Sequence, residues 1–134
     1  METLRETGLS QTVFEIGLDF DVGSGAKRLS SGQQQKLALA RALLKRADLL
    51  VLNRPLSSLD GESQRETIVR VLASRAALGI ERQTIFWVLS HAEHAELFDR
   101  RLEFKDGRMI TNSTGAETRP HESDAARDDA EVAG

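Results

Sequence analysis

Two short apolar runs decide what this chain can fold into. Leu49-Leu50-Val51-Leu52 and Thr84-Ile85-Phe86-Trp87-Val88-Leu89 are each too short for a buried helix, and neither alternates with polar residues. Such runs are expected of strands buried on both faces of a parallel sheet. Pro55 ends the first run, Asp60 offers a helix cap, Ile68 and Leu72 share a helical face, and Leu78-Gly79 gives a stop. Upstream, Ser30 or Ser31 can cap a helix whose apolar positions Leu37, Ala40 and Leu44 recur at helical spacing and which ends near Arg46-Ala47-Asp48. Helix, strand, helix, strand is an α/β pattern with a parallel sheet.

The flanks are simpler. Over residues 1–20, Leu4, Leu9, Val13, Phe14, Ile16 and Leu18 fall at mixed spacing, which suits one or two short helices. The second strand ends at Ser90-His91 and is followed by a short helix through Ala95 to Phe98. A hairpin, 101–105 and 108–111, then turns at Asp106-Gly107. After Asn112 almost no large apolar residue remains, so that segment cannot bury enough surface to offset its ordering entropy and is expected to be a disordered tail.

Charge and composition exclude several functions. The net charge is −3, and residues 112–134 hold six acids against two arginines, a net −4, so the preceding part carries only +1. A nucleic-acid surface usually needs a strong basic excess, so nucleic acid is not an expected partner. There are no cysteines, which rules out disulfides, thiolate metal sites and a cysteine nucleophile. No apolar run approaches the roughly 20 residues that span a bilayer, and the first six residues lack a basic-then-apolar export pattern, so a membrane role is expected only through a partner.

Chemistry concentrates in three places. Leu29-Ser30-Ser31-Gly32-Gln33-Gln34-Gln35-Lys36 opens the first long helix; Leu52-Asn53-Arg54-Pro55 and Ser57-Ser58-Leu59-Asp60 close the first strand; His91 follows the second. Taken singly, each is ordinary: a helix cap, a loop charge, a second cap, a strand-end histidine. Their order and spacing resemble the signature motif, Walker B strand, D-loop and switch histidine of an ATP-binding cassette (ABC) ATPase.

That resemblance implies a partial P-loop NTPase sheet with flanking helices, residues 1–48 being part of the helical subdomain with the signature motif. Residues 49–111 would be the C-terminal part of the ATPase core and 112–134 an acidic tail. In that family two nucleotide-binding domains sandwich ATP, one subunit's signature motif facing the other's phosphate loop. Carried over, Ser30 supplies a hydroxyl and Gly32 a backbone N–H to the γ-phosphate at the positive end of the helix that starts with Gln33. Ser31 stands where the family usually has the first glycine of a pair, and its side chain either crowds the phosphate or adds a donor. Asp60 belongs to the loop that couples the two sites, and His91 orients the attacking water.

The departures matter as much. The Walker B pair, normally Asp-Glu, is Asn53-Arg54 here. Asn53 keeps an oxygen without the charge a hard cation prefers, so Mg²⁺ is expected to bind weakly or not at all. Arg54 cannot take a proton from water, and losing a positioned base costs about 10²–10⁴ in rate. As a cation it could instead pair with phosphate and favour retention of ATP; the plain reading is a solvated loop charge. His94, three residues after His91, has no third convergent ligand in the sequence, so a metal pair is not expected.

No G-x-x-x-x-G-K-[ST] phosphate loop occurs between Met1 and Gly134. Gly23-Ser24-Gly25-Ala26-Lys27 lacks the preceding strand, the spacing and the Ser/Thr such a loop requires. Its place before the signature resembles the loop that meets the transmembrane domain in exporter-type members. The expectation is therefore an exporter-like ABC ATP-binding segment, impaired in hydrolysis, offering its signature to ATP in a dimer with a second ABC nucleotide-binding domain. It would lie in the cytoplasm, peripheral to the inner membrane through a transmembrane transporter domain. Two alternatives stand beside it: an active ATPase half completed by an N-terminal partner or upstream sequence, and a non-enzymatic regulatory or interaction fragment.

Overall fold

A computed structural model describes residues 2–78 and 83–114. The chain divides into two units, residues 1–92 and 93–134. The first holds helices α1 (Glu2–Glu6), α2 (Ser10–Ile16), α3 (Ser31–Leu44) and α4 (Gly61–Ala77), with strands β1 (Leu49–Asn53) and β2 (Thr84–Val88). The strands pair in parallel, Leu49 opposite Thr84 through Asn53 opposite Val88. This is the expected α/β unit, in which a crossover helix, α4, returns the chain to start a parallel neighbour.

The core gathers Leu9, Leu39, Ala40, Leu43, Leu50, Leu52, Leu56, Ile68 and Val71, all buried. Along α4 the buried positions Gln64, Thr67, Ile68, Val71 and Arg75 recur at three- and four-residue steps, one stripe of a helix. On α3 the buried stripe is Leu39, Ala40 and Leu43. The sequence pattern had placed Leu37 and Leu44 there with Ala40; Leu44 is instead 65% exposed. An alanine-rich helix gives several nearly equivalent apolar stripes, and packing chooses among them. Helix α3 also stops at Leu44, ahead of the expected end, with Lys45 as cap and Arg46 at a positive φ of 48°.

The sheet corrects one expectation. β1 was expected to be buried on both faces, yet Leu50 and Leu52 are buried while Leu49 and Val51 are 54% and 63% exposed. Phe86 and Val88 of β2 are also exposed. Alternation across the pleat puts these four side chains on one side, and among the described residues nothing covers it.

The second unit begins with a 3-10 turn, Ala92–Leu97, where a short helix was expected around Ala95 to Phe98. Strands β3 (Arg100–Lys105) and β4 (Arg108–Thr114) form an antiparallel hairpin with a bulge between Glu103 and Phe104. The turn falls at Asp106-Gly107, both at positive φ, as that dipeptide signals. β4 runs to Thr114, three residues into the segment expected to be a tail from residue 112, because Asn112, Ser113 and Thr114 pair with Leu102, Arg101 and Arg100. The rest of that segment, and Gly79, lie outside the described residues.

Candidate functional site

Parallel pairing puts the carboxyl ends of β1 and β2 side by side, and ligand sites of open α/β sheets gather outside such ends. The loops carrying Asn53, Arg54 and Asp60, and the bend carrying His91, leave the sheet from this edge. Asn53 and Arg54 are exposed. The Arg54 N–H donates to the Val88 carbonyl at 3.1 Å, and its own carbonyl accepts from the Ser57 N–H at 3.3 Å. Arg54 takes a φ of 47°, a left-handed conformation that is costly for any residue with a Cβ. A shallow cleft beside it is lined by Gln35, Ala38 and Ala42 of α3 and by Asn53, Arg54 and Ser57.

Ser30 is the N-cap of α3, in extended backbone geometry. Its Oγ accepts from the Gln33 N–H at 3.2 Å, and the Gln33 Oε1 accepts from the Ser30 N–H at 2.9 Å, a reciprocal capping box. The capping bond uses an oxygen lone pair of Ser30, so its hydroxyl proton remains able to donate to an anion. Ser30 and Ser31 are exposed, while Gly32 and Gln33 are half-buried. A first helical turn with unpaired N–H groups and an outward hydroxyl suits phosphate oxygens.

Two contacts join this helix end to the strand-end loop, and sequence reasoning had assigned neither. Gly32 was singled out for its N–H, but a Cβ at that position would lie 2.6 Å from Leu59 Cδ2. Gln35, on the same helix face, donates from Nε2 to Ser57 Oγ at 3.0 Å and accepts the Ser58 N–H at 2.9 Å. The signal available in the sequence was the three-residue spacing of Gly32 and Gln35, which turns both toward one neighbour.

Asp60 caps α4: its carboxylate accepts from the Ser63 N–H at 2.9 Å and the Ser63 hydroxyl at 2.7 Å. Those two bonds, the backbone one first, hold its pKa below the ordinary carboxylate value. His91 is half-buried, three residues beyond the end of β2. His94 belongs to the second unit and is buried there. Among the described residues no group of three or more His, Cys, Asp or Glu is placed to hold a metal ion. At the Asn53 position the donor set is one neutral amide oxygen beside a guanidinium, which does not fit a hard divalent cation on this chain alone.

The glycine-rich loop before α3 is folded on itself. Its 3-10 turn, Ser24–Ala26, holds Gly25 at positive φ and is preceded by Gly23, also at positive φ. Asp21 Oδ1 accepts the Gly23 N–H, and Arg28 Nη1 donates to both the carbonyl and the carboxylate of Asp21.

Residues 4–57, spanning the capping box, β1 and Arg54, match the family model described as ABC transporter. An ATP-dependent lipid A-core flippase of Polaromonas sp. is 42% identical over 121 residues, 87% of this chain and 19% of that protein. The glutathione/L-cysteine transport system ATP-binding/permease protein CydC of Haemophilus influenzae is 35% identical over 82% of this chain and 19% of its own length.

This chain belongs to the ABC transporter ATP-binding family. A third relative, the lipoprotein-releasing system ATP-binding protein LolD 1 of Caulobacter vibrioides, is 37% identical over 72% of the chain and 40% of that protein. The chain thus spans about a fifth of the flippase and of the CydC protein. ABC ATP-binding domains have the P-loop NTPase fold and bind ATP, and the described residues form a mixed helix and strand part of that fold. No helix among the described residues is long and apolar enough to cross a membrane.

Proposed function

We propose that this chain is the ATP-binding segment of an ABC transporter that presents its signature end, Ser30, Ser31, Gly32 and Gln33, to ATP held by a second cassette, and is itself impaired in hydrolysis. Residues 1–48 act as the signature-bearing part of the helical subdomain and 49–111 as part of the ATPase core. The observation that carries the reading is the exposed capping box of α3, seated on the loop ending at Asp60 while Asn53 and Arg54 occupy the neighbouring strand end. Ser30 donates to a terminal phosphate, and α3 aims its positive end there. His91, Asn53 and Arg54 belong to the segment's own nucleotide site, for which this sequence holds no phosphate loop; there Arg54 cannot act as base and Asn53 holds Mg²⁺ weakly.

A transmembrane partner, and through it a place at the cytoplasmic side of the inner membrane, is supported by the apolar surface of α2 and the loop after it. Phe14 is 90% and Leu18 69% exposed there, beside Val13. Clustered exposed apolar side chains mark a docking surface more often than a solvated one.

The test is ATP-dependent association with an ABC ATP-binding domain that carries an intact phosphate loop. Ser30→Ala is expected to weaken association about tenfold, the worth of one hydrogen bond to a charged group. Once the segment is completed with a phosphate loop of its own, Asn53→Asp with Arg54→Glu is expected to raise Mg²⁺-dependent turnover by about 10²-fold or more. Association that ignores Ser30, or equal turnover with and without the carboxylates, contradicts the reading.

The uncovered apolar face of the sheet, with Leu49, Val51, Phe86 and Val88, favours a second reading in which further sequence or another chain completes the sheet. Magnesium-dependent turnover by the unaltered segment once so completed would promote that reading to an active ATPase half.

A further inference from the structure

Gly32 and Gln35 lie one helical turn apart on α3, on the face that meets loop 57–60. The Gln35 carboxamide commits both of its polar ends to that loop, one to the Ser57 hydroxyl and one to the Ser58 N–H. Its orientation is fixed by chemistry, because a backbone N–H can only donate and so must face the carbonyl oxygen. The bare Cα of Gly32 lets Leu59 sit directly on the first turn of the helix. On its far side the loop is held by α4: Gln64 Nε2 donates to the Leu59 carbonyl at 2.8 Å, and Asp60 caps that helix. The loop is thus tied to α3 at one end and to α4 at the other.

We infer that Gln35 is a positioning residue, holding loop 57–60 in register with the N-terminal end of α3 so that Ser30 and Asp60 meet a partner as one rigid surface. For the partner the inference rests on the cassette reading; the tie itself does not. Without the carboxamide, Ser58 would turn its N–H to water, and the loop could move while the capping box stayed formed.

The test uses the full chain unchanged and in two variants. Gln35→Met keeps the length of the side chain and removes both hydrogen bonds. Gln35→Glu restores them, since a carboxylate accepts from the Ser58 N–H and from the Ser57 hydroxyl rotated to donate. Without nucleotide, amide exchange at Ser58 is expected to be about tenfold faster in Gln35→Met and to return toward the original rate in Gln35→Glu. Equal rates in all three overturn the tie.

ATP-dependent association with a cassette bearing an intact phosphate loop is expected to weaken about tenfold in Gln35→Met and to recover in Gln35→Glu. Faster exchange with undiminished association overturns the positioning role and leaves the cassette reading standing. If the unchanged chain does not associate, the cassette reading falls and takes the positioning role with it, while exchange at Ser58 still decides the tie. Should Gln35→Met fail to fold, Ser57→Ala, which removes one bond from an exposed hydroxyl, is expected to shift both measurements in the same direction.

Discussion

Asp60 shows how a capping bond changes the titration of the side chain that makes it. Its carboxylate caps α4 through Ser63, and those bonds pull its pKa below the ordinary value. A depressed folded-state pKa stabilises the protein above the unfolded-state pKa, and that contribution is lost as pH falls through the folded value. The thermal midpoint of the unchanged chain should therefore drop as pH is lowered below about 4, whereas Asp60→Asn, whose amide oxygen caps without titrating, should show a smaller drop. Identical pH profiles for the two proteins would show that the cap has no share in acid stability. Arg54 makes the complementary point: its positive φ is held by hydrogen bonds to Val88 and Ser57, which fix the backbone at the strand end.

At the scale of elements, the end of α3 is secured by a buried arginine. Arg75 of α4 is 7% exposed; its Nη2 donates to the Leu43 carbonyl at 3.1 Å and its Nη1 to the Gln83 Oε1. Gln83 in turn donates to the Ala47 carbonyl, so the residue just before β2 is tied to the turn that starts β1. Burial lowers the Arg75 pKa, and the Glu6 carboxylate acts against that shift. Glu6 is itself buried and accepts from Ser74 Oγ at 2.6 Å, which binds α1 to α4. A helix C-terminus carries partial negative charge, so a cation there is favourable as well as bonded. Arg75→Met should fill much of the volume yet take one donor from the Leu43 carbonyl, which keeps the Arg46 N–H, and one from Gln83 Oε1, and remove the cation near Glu6, at a cost of about 1–3 kcal/mol. Chemical denaturation of the two proteins measures it, and a loss under about 0.5 kcal/mol would mean the network relaxes around methionine.

For the molecule as a whole, packing among the described residues leaves one sheet face uncovered, the one bearing Leu49, Val51, Phe86 and Val88. Two parallel strands with apolar side chains on an uncovered face are poor company for water and ready company for one another. The isolated chain is expected to self-associate with rising concentration. Val51→Thr with Phe86→Thr should reduce that association, since threonine keeps strand propensity while removing apolar area. Sedimentation at several concentrations distinguishes the outcomes: a chain that stays monomeric throughout would mean the face is satisfied without a partner.

How much of this was readable beforehand follows from where each constraint lives. The sequence alone determined the strands, the crossover helix, the caps at Ser30 and Asp60, the Asp106-Gly107 turn and the family, because each depends on a few neighbouring residues whose propensities and spacing agree. Tertiary structure alone decided which stripe of α3 is buried, that β1 shows one bare face, that Arg75 and Glu6 go inside, and that Gln35 and Gly32 meet loop 57–60. Those choices bring together residues far apart in the chain, and local pattern cannot rank surfaces that are equally apolar or side chains that are equally polar until the partner across the gap is fixed.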